Sequence, residues 1–509
     1  MTLLPSQLAL SVELVRRLEG EAMAALPEGT LMARAASAIA VSASGMLRDT
    51  VGRVTGSRVV LLVGSGDNGG DALYAGARLA RRGARVDAVL VADRHHEAGA
   101  TALRSAGGRL VGTDDLVAAA ELVAAADLVV DGILGIGGRG GLREPAATLA
   151  AVARETDATV LAVDLPSGVD ADSGAVEDTH RVVVADRTVV MGVLKPGLLV
   201  GAGAAYSGDL EVVDIGLDLS SVTRSEAVVL VDDRLAAHDL ERPGAYDDKY
   251  TRGVVGVSTG SERYAGAAVL STGGARHGLS GYVRYSGPAY VEVVQAWPEA
   301  VAKPGRVGVA GRAQCWVVGS GRGTDEDARL AVLDAAGLGV PLVLDADAIT
   351  LLAEDSEVRS AVESRTAPTI VTPHDGEFAR LAAAPVGVDR VGAARSLARS
   401  LGLVVLLKGS STVVASPSGA TYVSMSAPPE LATAGSGDVL AGLLGSVVAH
   451  HQARGNVDAD LLARLAAVAS HVHGVAGLVA VGEGRTMAAL DLVAALPEAI
   501  ARVRGAEPA

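Results

Sequence analysis

Apolar and polar positions change rhythm twice along the chain. Residues 7–50 carry Leu, Val and Met at helical spacing between scattered Arg and Glu, which predicts helix. From residue 58 the pattern becomes short apolar runs: RVVLLV (58–63), VDAVLV (86–91), LVVDGIL (128–134) and TVLAVDL (159–165), separated by Ala-rich helical segments. Runs of this length without polar alternation suit strands buried on both faces, and strand–helix alternation implies right-handed βαβ units. RTVVMG (187–192) and LEVVDIG (210–216) complete the first set. A polar stretch follows, DLSSVTRSEAVVLVDDRLAAHDLERPGAYDDKYTRG, with a Pro-Gly and little periodicity. It predicts a boundary near 220–230. The alternation then restarts with GVVGVS (253–258), AYVEVV (289–294), QCWVVG (314–319), PLVLDAD (341–347), TIVTPH (369–374) and LVVLLKG (403–409), and a long helical region from about 437 to 480. The expected organisation is two tandem α/β domains, residues 1–224 and 225–509.

Composition agrees with two cores. A length of 509 residues suits two or three domains, and 49% hydrophobic residues with only 2% aromatics means packing mostly by Ala, Val and Leu. The formal net charge of −15 argues against a nucleic-acid partner, though backbone N–H groups can still hold small anions. The single cysteine, Cys315, excludes an internal disulfide and reads as a small buried hydrophobe. The N-terminus lacks a basic start, and no stretch approaches about 20 consecutive apolar residues. A soluble cytoplasmic protein with no membrane partner is expected.

The tetrapeptide GSGD occurs twice, at 64–67 and 435–438. In the first, Gly64, Gly66, Gly69 and Gly70 follow a strand, as in a nucleotide-binding turn that leaves N–H groups bare at a helix start. The loop matches G-x-G-x-x-G, but Asp87 begins its own strand, a poor place for an acidic ribose partner, and a P-loop lysine is missing. Two further loops end strands, VVDGILGIGGRGGLREP (129–145) and AVDLPSGVDADSG (162–174). Asn68, Asp131 and Ser167 offer oxygen atoms suited to a hard cation; each taken alone reads first as a turn or cap residue.

Together these loops resemble the NAD(P)H-hydrate epimerase domain of the YjeF N-terminal type. The carrying motifs are Asp67-Asn68-Gly69-Gly70-Asp71, Asp131-Gly132-Ile133-Leu134-Gly135-Ile136-Gly137 and Asp164-Leu165-Pro166-Ser167-Gly168, with LMARAA (31–36) and LKPGL (194–198). The resemblance covers residues 10–217 and implies a Rossmann-like three-layer α/β/α domain. It implies a potassium ion on Asn68, Asp131 and Ser167. It also implies hydrate contacts from Asp67, Asn68, Gly69, Gly70, Asp71, Gly135, Ile136, Gly137, Gly138, Arg139, Gly140, Gly141 and Asp164, with Asp164 as the catalytic candidate. Asp67 stands where the family has Asn, which removes an NH₂ donor and adds charge.

The second loop, LATAGSGDVLAG (431–442), precedes a strong helix. The N–H groups of Gly435, Ser436 and Gly437 would face an anion there, and Asp438 could be a general base or merely a first-turn acid favouring the dipole. LLKGSSTVV (406–414), TPHDGEFARL (372–381), VLDADAITLL (343–352), VVGSGRG (317–323) and GSERYAGAAVLSTGGARHGLSG (260–281) complete the pattern. These segments resemble the ADP/ATP-dependent NAD(P)H-hydrate dehydratase domain, ribokinase-like in fold, over roughly 245–500. The resemblance implies that Asp438 is the base. It implies that Lys408, Gly409, Ser410, Ser411, Thr412 and Gly437 bind the adenine nucleotide with Mg2+, and that Ala267, Gly321, His374 and Asp438 contact the hydrate. Ser436, Asp375, Ser320 and Arg322 depart from the usual residues. His450-His451 and His471-x-His473 lack acid or Cys partners at metal-binding spacing and read as packing histidines.

The resulting expectation is a bifunctional, homo-oligomeric enzyme that epimerises the R and S forms of NADHX and NADPHX and dehydrates the S form at the expense of ADP or ATP. Two rivals are a ribokinase-like small-molecule kinase with an accessory α/β domain, and a nucleotide-binding scaffold.

Overall fold

The computed structural model describes residues 3–425, 427–482 and 484–505. The chain divides into two compact units, Met1–Ala227 and Val228–Ala509.

The first unit is built on seven strands: β1 (Arg58–Val63), β2 (Arg85–Leu90), β3 (Arg109–Val111), β4 (Leu128–Gly132), β5 (Thr159–Val163), β6 (Arg187–Met191) and β7 (Asp209–Val213). All pair in parallel, in the spatial order β3-β2-β1-β4-β5-β6-β7. The period of two assigns β1 to both faces. Leu61 and Val63 pack with helices Thr30–Val51 and Asp67–Arg81 through Ile39, Leu47, Leu73 and Leu79. Val60 and Leu62 pack on the other side with Leu149, Ala119 and Val123 from helices Leu116–Ala124 and Ala146–Arg154. The result is the Rossmann-like three-layer sandwich. Strand order reverses between β1 and β4, so their C-terminal loops diverge and open a crevice.

The second unit has ten named strands: β8 (Val228–Leu230), β9 (Val254–Ser258), β10 (Tyr282–Ser286), β11 (Val301–Lys303), β12 (Cys315–Val318), β13 (Leu342–Leu344), β14 (Thr369–Val371), β15 (Val404–Leu407), β16 (Thr412–Ala415) and β17 (Thr421–Ser424). They lie in the order β8-β17-β16-β15-β14-β13-β12-β9-β10-β11. β9 to β15 are joined in parallel, while β15, β16 and β17 form an antiparallel meander. This is the ribokinase-like α/β/α plan. Helices Ala265–His277 and Ser436–Arg454 pack so closely that an added Cβ on Gly442 would lie 1.9 Å from the Ser271 carbonyl.

Several elements differ from the sequence expectation. AYVEVV is the helix Tyr290–Ala296; its β-branched residues suggested a strand, but the crossover between parallel β10 and β11 requires a helix. Val228–Leu230 is a strand inside the polar stretch, paired with Thr421–Val423. The helical regions break into Val12–Ala25 and Thr30–Val51, and into Ser436–Arg454 and Ala459–Val481, the latter pair at Gly455. Thr30–Val51 and Ala459–Val481 are also long and apolar enough to cross a membrane by length and composition, with mean hydropathy 1.3 and 1.4. Of their most apolar windows, 50% and 72% are buried within the protein.

Candidate functional sites

In the first unit, three loops leave the C-terminal ends of β1, β4 and β5. Gly64 is required where it stands: a Cβ there would lie 1.9 Å from the Ile133 carbonyl oxygen. This contact presses the first loop against the second and starts helix Asp67–Arg81 at the crevice. Asn68 then donates its amide to the carbonyls of Leu134 (3.1 Å) and Val163 (2.7 Å). Its oxygen faces Gly135.

Asp131 is fully buried. It accepts from Ile133 N–H (3.1 Å), Ser167 N–H (2.8 Å) and the Ser167 hydroxyl (2.7 Å), and that hydroxyl accepts in turn from Leu134 N–H (2.9 Å). Burial still pushes its carboxyl up to about 6 against those hydrogen bonds. The structure therefore brings Asn68, Asp131 and Ser167 together around carbonyls 134 and 163. These donors are all oxygen, and the buried carboxylate has no cationic side chain among its hydrogen-bond partners. Such a set fits a hard cation.

Asp164 follows β5 with φ of +66°, a conformation uncommon outside glycine. Its Oδ1 accepts from Met191 N–H (2.9 Å) and from the ammonium of fully buried Lys195, which also donates to the Met191 carbonyl (3.2 Å). Asp71, one helical turn after Asp67, is buried with Oδ1 unpartnered. Its carboxyl is pushed up to about 8 by burial and then by Asp164, Asp67 and Glu19. Glu19, on helix Val12–Ala25, is raised by burial and by Asp164, with Lys195 opposing.

Around the crevice, Gly138 N–H closes a turn on the Gly135 carbonyl (2.8 Å), Gly140 takes φ of +74°, Gly137 abuts Arg16 and Gly141 abuts Arg181. Ile136 packs with Leu10, Val15 and Leu18. Arg139 lies in the same loop. Asp87 is buried within β2 and paired with Arg109, away from a strand end.

In the second unit, β12, β13, β14 and β15 end beside the helix that starts at Ser436. A cavity of about 860 Å³ is walled by His374, Lys408, Gly409, Ser410, Thr412, Ser436, Gly437, Ser470 and His473, among others. Lys408 bonds Asp345 (Nζ–Oδ1 2.9 Å) and lies 3.9 Å from Glu377. Asp345 also accepts from Ser320 (2.7 Å) and Thr372 (2.6 Å). Burial acts to raise its carboxyl, but Lys408 and these hydrogen bonds prevail and hold it below the usual value.

Asp438 sits in the first turn of helix Ser436–Arg454. Burial, then repulsion from Asp345, push it up to about 7 despite Ser320 and Lys408. Gly435 takes φ of +90°, and the helical ladder begins with Val439 N–H on the Gly435 carbonyl (3.2 Å). The N–H groups of Gly437 and Asp438 therefore precede the ladder. The Ser436 N–H, expected to face an anion, instead donates to the Thr433 carbonyl (3.3 Å) because the loop tightens before the helix.

His374 caps helix Asp375–Ala382, its Nδ1 accepting from Gly376 N–H (2.9 Å), while Glu377 bonds back to His374 N–H (2.9 Å). Asp375 pairs with Arg390 (3.0 Å), which also donates to the Lys408 carbonyl (2.8 Å). Ala267 and Gly321 meet each other, a Cβ on Gly321 lying 2.6 Å from that of Ala267. They, Ser411 and Asp438 stand outside the cavity wall, Asp438 next to the lining residue Gly437.

Sequence reasoning missed Lys195, Glu19, Asp345 and His473 as site residues. His473, read as a packing histidine, is buried, pushed down to about 4 by burial, and bonded to the Ser436 carbonyl (2.9 Å). A signal for Asp345 was present in the paired acids at the end of VLDADA; Lys195 stood inside LKPGL without a visible partner.

Comparisons with known proteins cover both units. A YjeF-related N-terminal family model matches residues 28–197, and an NAD(P)H-hydrate dehydratase model matches residues 255–498. The chain is 46% identical to a bifunctional NAD(P)H-hydrate repair enzyme of Mycobacterium tuberculosis, across 86% of this chain and 88% of that protein. Its counterpart in Corynebacterium glutamicum is 34% identical across 97% and 98%. Among solved structures, the ADP/ATP-dependent NAD(P)H-hydrate dehydratase of Bacillus subtilis, co-crystallised with ATP and Mg2+, is similar at a TM-score of 0.46 and 26% identity, across 53% of this chain and 97% of that one.

Proposed function

The chain belongs to the family of bifunctional NAD(P)H-hydrate repair enzymes, and from that premise we propose how its two units divide the reaction. The first interconverts the R and S hydrates of NADH and NADPH. The second dehydrates the S form at the expense of ADP or ATP, so both epimers reach the restored cofactor.

The observation that carries the second half is the placement of Asp438. It is a carboxylate with affinity for a proton near neutrality, in the first turn of a helix whose residues Ser436 and Gly437 line a nucleotide-sized cavity. Asp438 takes the proton of the ring hydroxyl as that oxygen attacks the terminal phosphoryl group of the nucleotide. The phosphorylated oxygen then leaves with its C–O bond, a proton leaves the adjacent ring carbon, and the double bond returns. Lys408, set between Asp345 and Glu377, gives the phosphates a fixed positive charge, and Gly409, Ser410 and Thr412 line their approach. Among the described residues no cluster of three or more His, Cys, Asp or Glu forms a dedicated metal cage. The site thus suits Mg2+ carried in on the phosphates, where it would neutralise their charge, with Glu377 the nearby carboxylate.

In the first unit, Asn68, Asp131 and Ser167 would hold potassium, which would balance the buried Asp131 charge and fix the three loops against one another. Asp164, aimed by its backbone and paired with Lys195, faces the hydrate ring as the proton acceptor.

Incubating the protein with mixed hydrates and ADP or ATP, followed by chromatography of both epimers, tests the reading. Loss of both epimers with NADH or NADPH as product supports it. A stable phosphorylated product with no cofactor restored would favour the small-molecule kinase.

A further inference from the structure

The epimerase crevice contains two carboxyls in opposed surroundings. Asp164 is bonded to a fully buried ammonium, Lys195, and to Met191 N–H. Asp71 is over nine-tenths buried, and its Oδ1 has no hydrogen-bond donor among the described residues. The other titratable groups facing it are acids: Asp67 from its own helix, Asp164 from the loop after β5 and Glu19 from helix Val12–Ala25. His96 packs against the same helix at Gly70, with Nδ1 accepting from Gly99 N–H. A buried carboxyl among other carboxyls favours its neutral form. Two nearby carboxyls whose surroundings separate their proton affinities mark an acid and a base.

We propose that Asp71 is a second catalytic residue of epimerisation, the general acid that works opposite Asp164. This rests on the epimerase reading of the first unit. The hydrate carries its hydroxyl on the ring carbon bonded to the ring nitrogen. Asp164 accepts the hydroxyl proton as the C–N bond opens, leaving an aldehyde on that carbon. The ring nitrogen takes the electron pair of the broken bond and the proton of Asp71. Rotation of the aldehyde, reclosure of the C–N bond, and return of both protons give the opposite epimer. Atoms and electrons balance without a further reactant. Burial and the surrounding acids push Asp71 up to about 8, which keeps the proton available at neutral pH.

The test uses the full chain, with purified R-NADHX as substrate and epimer interconversion followed by chromatography. Asp71→Asn keeps the shape and removes the transferable proton. Its epimerisation kcat is expected to fall by about 10²–10⁴-fold with little change in KM, while dehydration of S-NADHX stays unchanged. In the wild-type protein, epimerisation kcat is expected to fall as pH rises through about 8, and Asp71→Asn should lack that alkaline limb. Near-normal epimerisation by Asp71→Asn would overturn the assignment, as would a flat wild-type profile from pH 7 to 9. The wild-type profile serves even where the variant folds poorly. A wild-type protein that cannot epimerise R-NADHX would instead refute the underlying epimerase reading.

Discussion

The ammonium of Lys408 sits 2.9 Å from Asp345 Oδ1, and Asp438 meets that pair as a third charge. The arrangement sets two carboxylates apart. Lys408 holds Asp345 low, whereas burial and Asp345 hold Asp438 high. A base must be deprotonated to act, so S-hydrate dehydration should rise with pH and level off above about 7. Asp345→Asn removes the repelling charge and frees Lys408 to stabilise the Asp438 carboxylate. The acid limb of the profile should then move to lower pH, read from kcat at saturating nucleotide. An unmoved limb would show that Asp438 is not the group titrating.

Asp438→Asn keeps size and hydrogen bonding but removes the proton acceptor. Dehydration should fall by about 10²–10⁴-fold. Gly437 N–H and Lys408 remain, so calorimetric nucleotide binding should persist, and epimerisation should be unaffected. If Asp438 only favours the helix dipole, the cost is about 0.3–1 kcal/mol of stability and dehydration survives. Single-turnover dehydration separates the two outcomes.

Potassium should raise the melting temperature of the first unit, because a cation relieves the buried Asp131 charge. At 100 times Kd, binding adds about 2.7 kcal/mol. Asn68→Ala and Asp131→Ala should abolish the potassium-dependent shift and slow epimerisation while dehydration of the S epimer continues. A melting shift equal for potassium and lithium, or unchanged in both variants, would remove the cation from the crevice.

Much of this was legible in the chain because it is local. RVVLLV, LVVDGIL and TVLAVDL hold strands because unbroken apolar runs suit a sheet buried on both faces, and Asp131 near the end of one strand, Asn68 at the start of the following helix, and Asp164 and Ser167 in a following loop all lie at their C-terminal ends. What escaped depends on distant partners. Lys195 is a buried ammonium only because Asp164, 31 residues earlier, returns to meet it. Glu19 reaches the crevice from a helix whose own pattern shows only amphipathic packing. Val228–Leu230 looked like part of a polar linker until β17 paired with it. AYVEVV failed the other way: local β-propensity lost to the need for a crossover helix.

Residues 225–509 expressed alone should fold and dehydrate only the S epimer. The contact boundary between Ala227 and Val228 leaves the cavity residues from His374 to Gly474 in one unit, together with Asp345 and Asp438. Given a mixture of the R and S hydrates and ATP, this fragment should consume the S form and leave the R form standing. An inactive fragment under conditions where the full chain works would count against independent units.

Gly442→Ala tests how closely the second site depends on helix packing. The new Cβ would fall 1.9 Å from the Ser271 carbonyl and 2.9 Å from Ala275 N, both backbone atoms that cannot rotate away. The partner helix presents a matching approach, since a Cβ on Gly274 would lie 2.2 Å from the Val439 carbonyl. Relief requires the two helices to separate, which should cost about 1–3 kcal/mol or more. It would also shift the first turn carrying Gly437 and Asp438 relative to Ala267. Denaturant melts should show the second unit losing stability while the first holds, and the residual folded protein should bind nucleotide more weakly. Gly266→Ala, on the partner helix Ala265–His277 but with nothing within 4 Å of its Cβ, should be silent in both assays. Equal behaviour of the two variants would mean that helix contact does not set the geometry of the anion-binding turn.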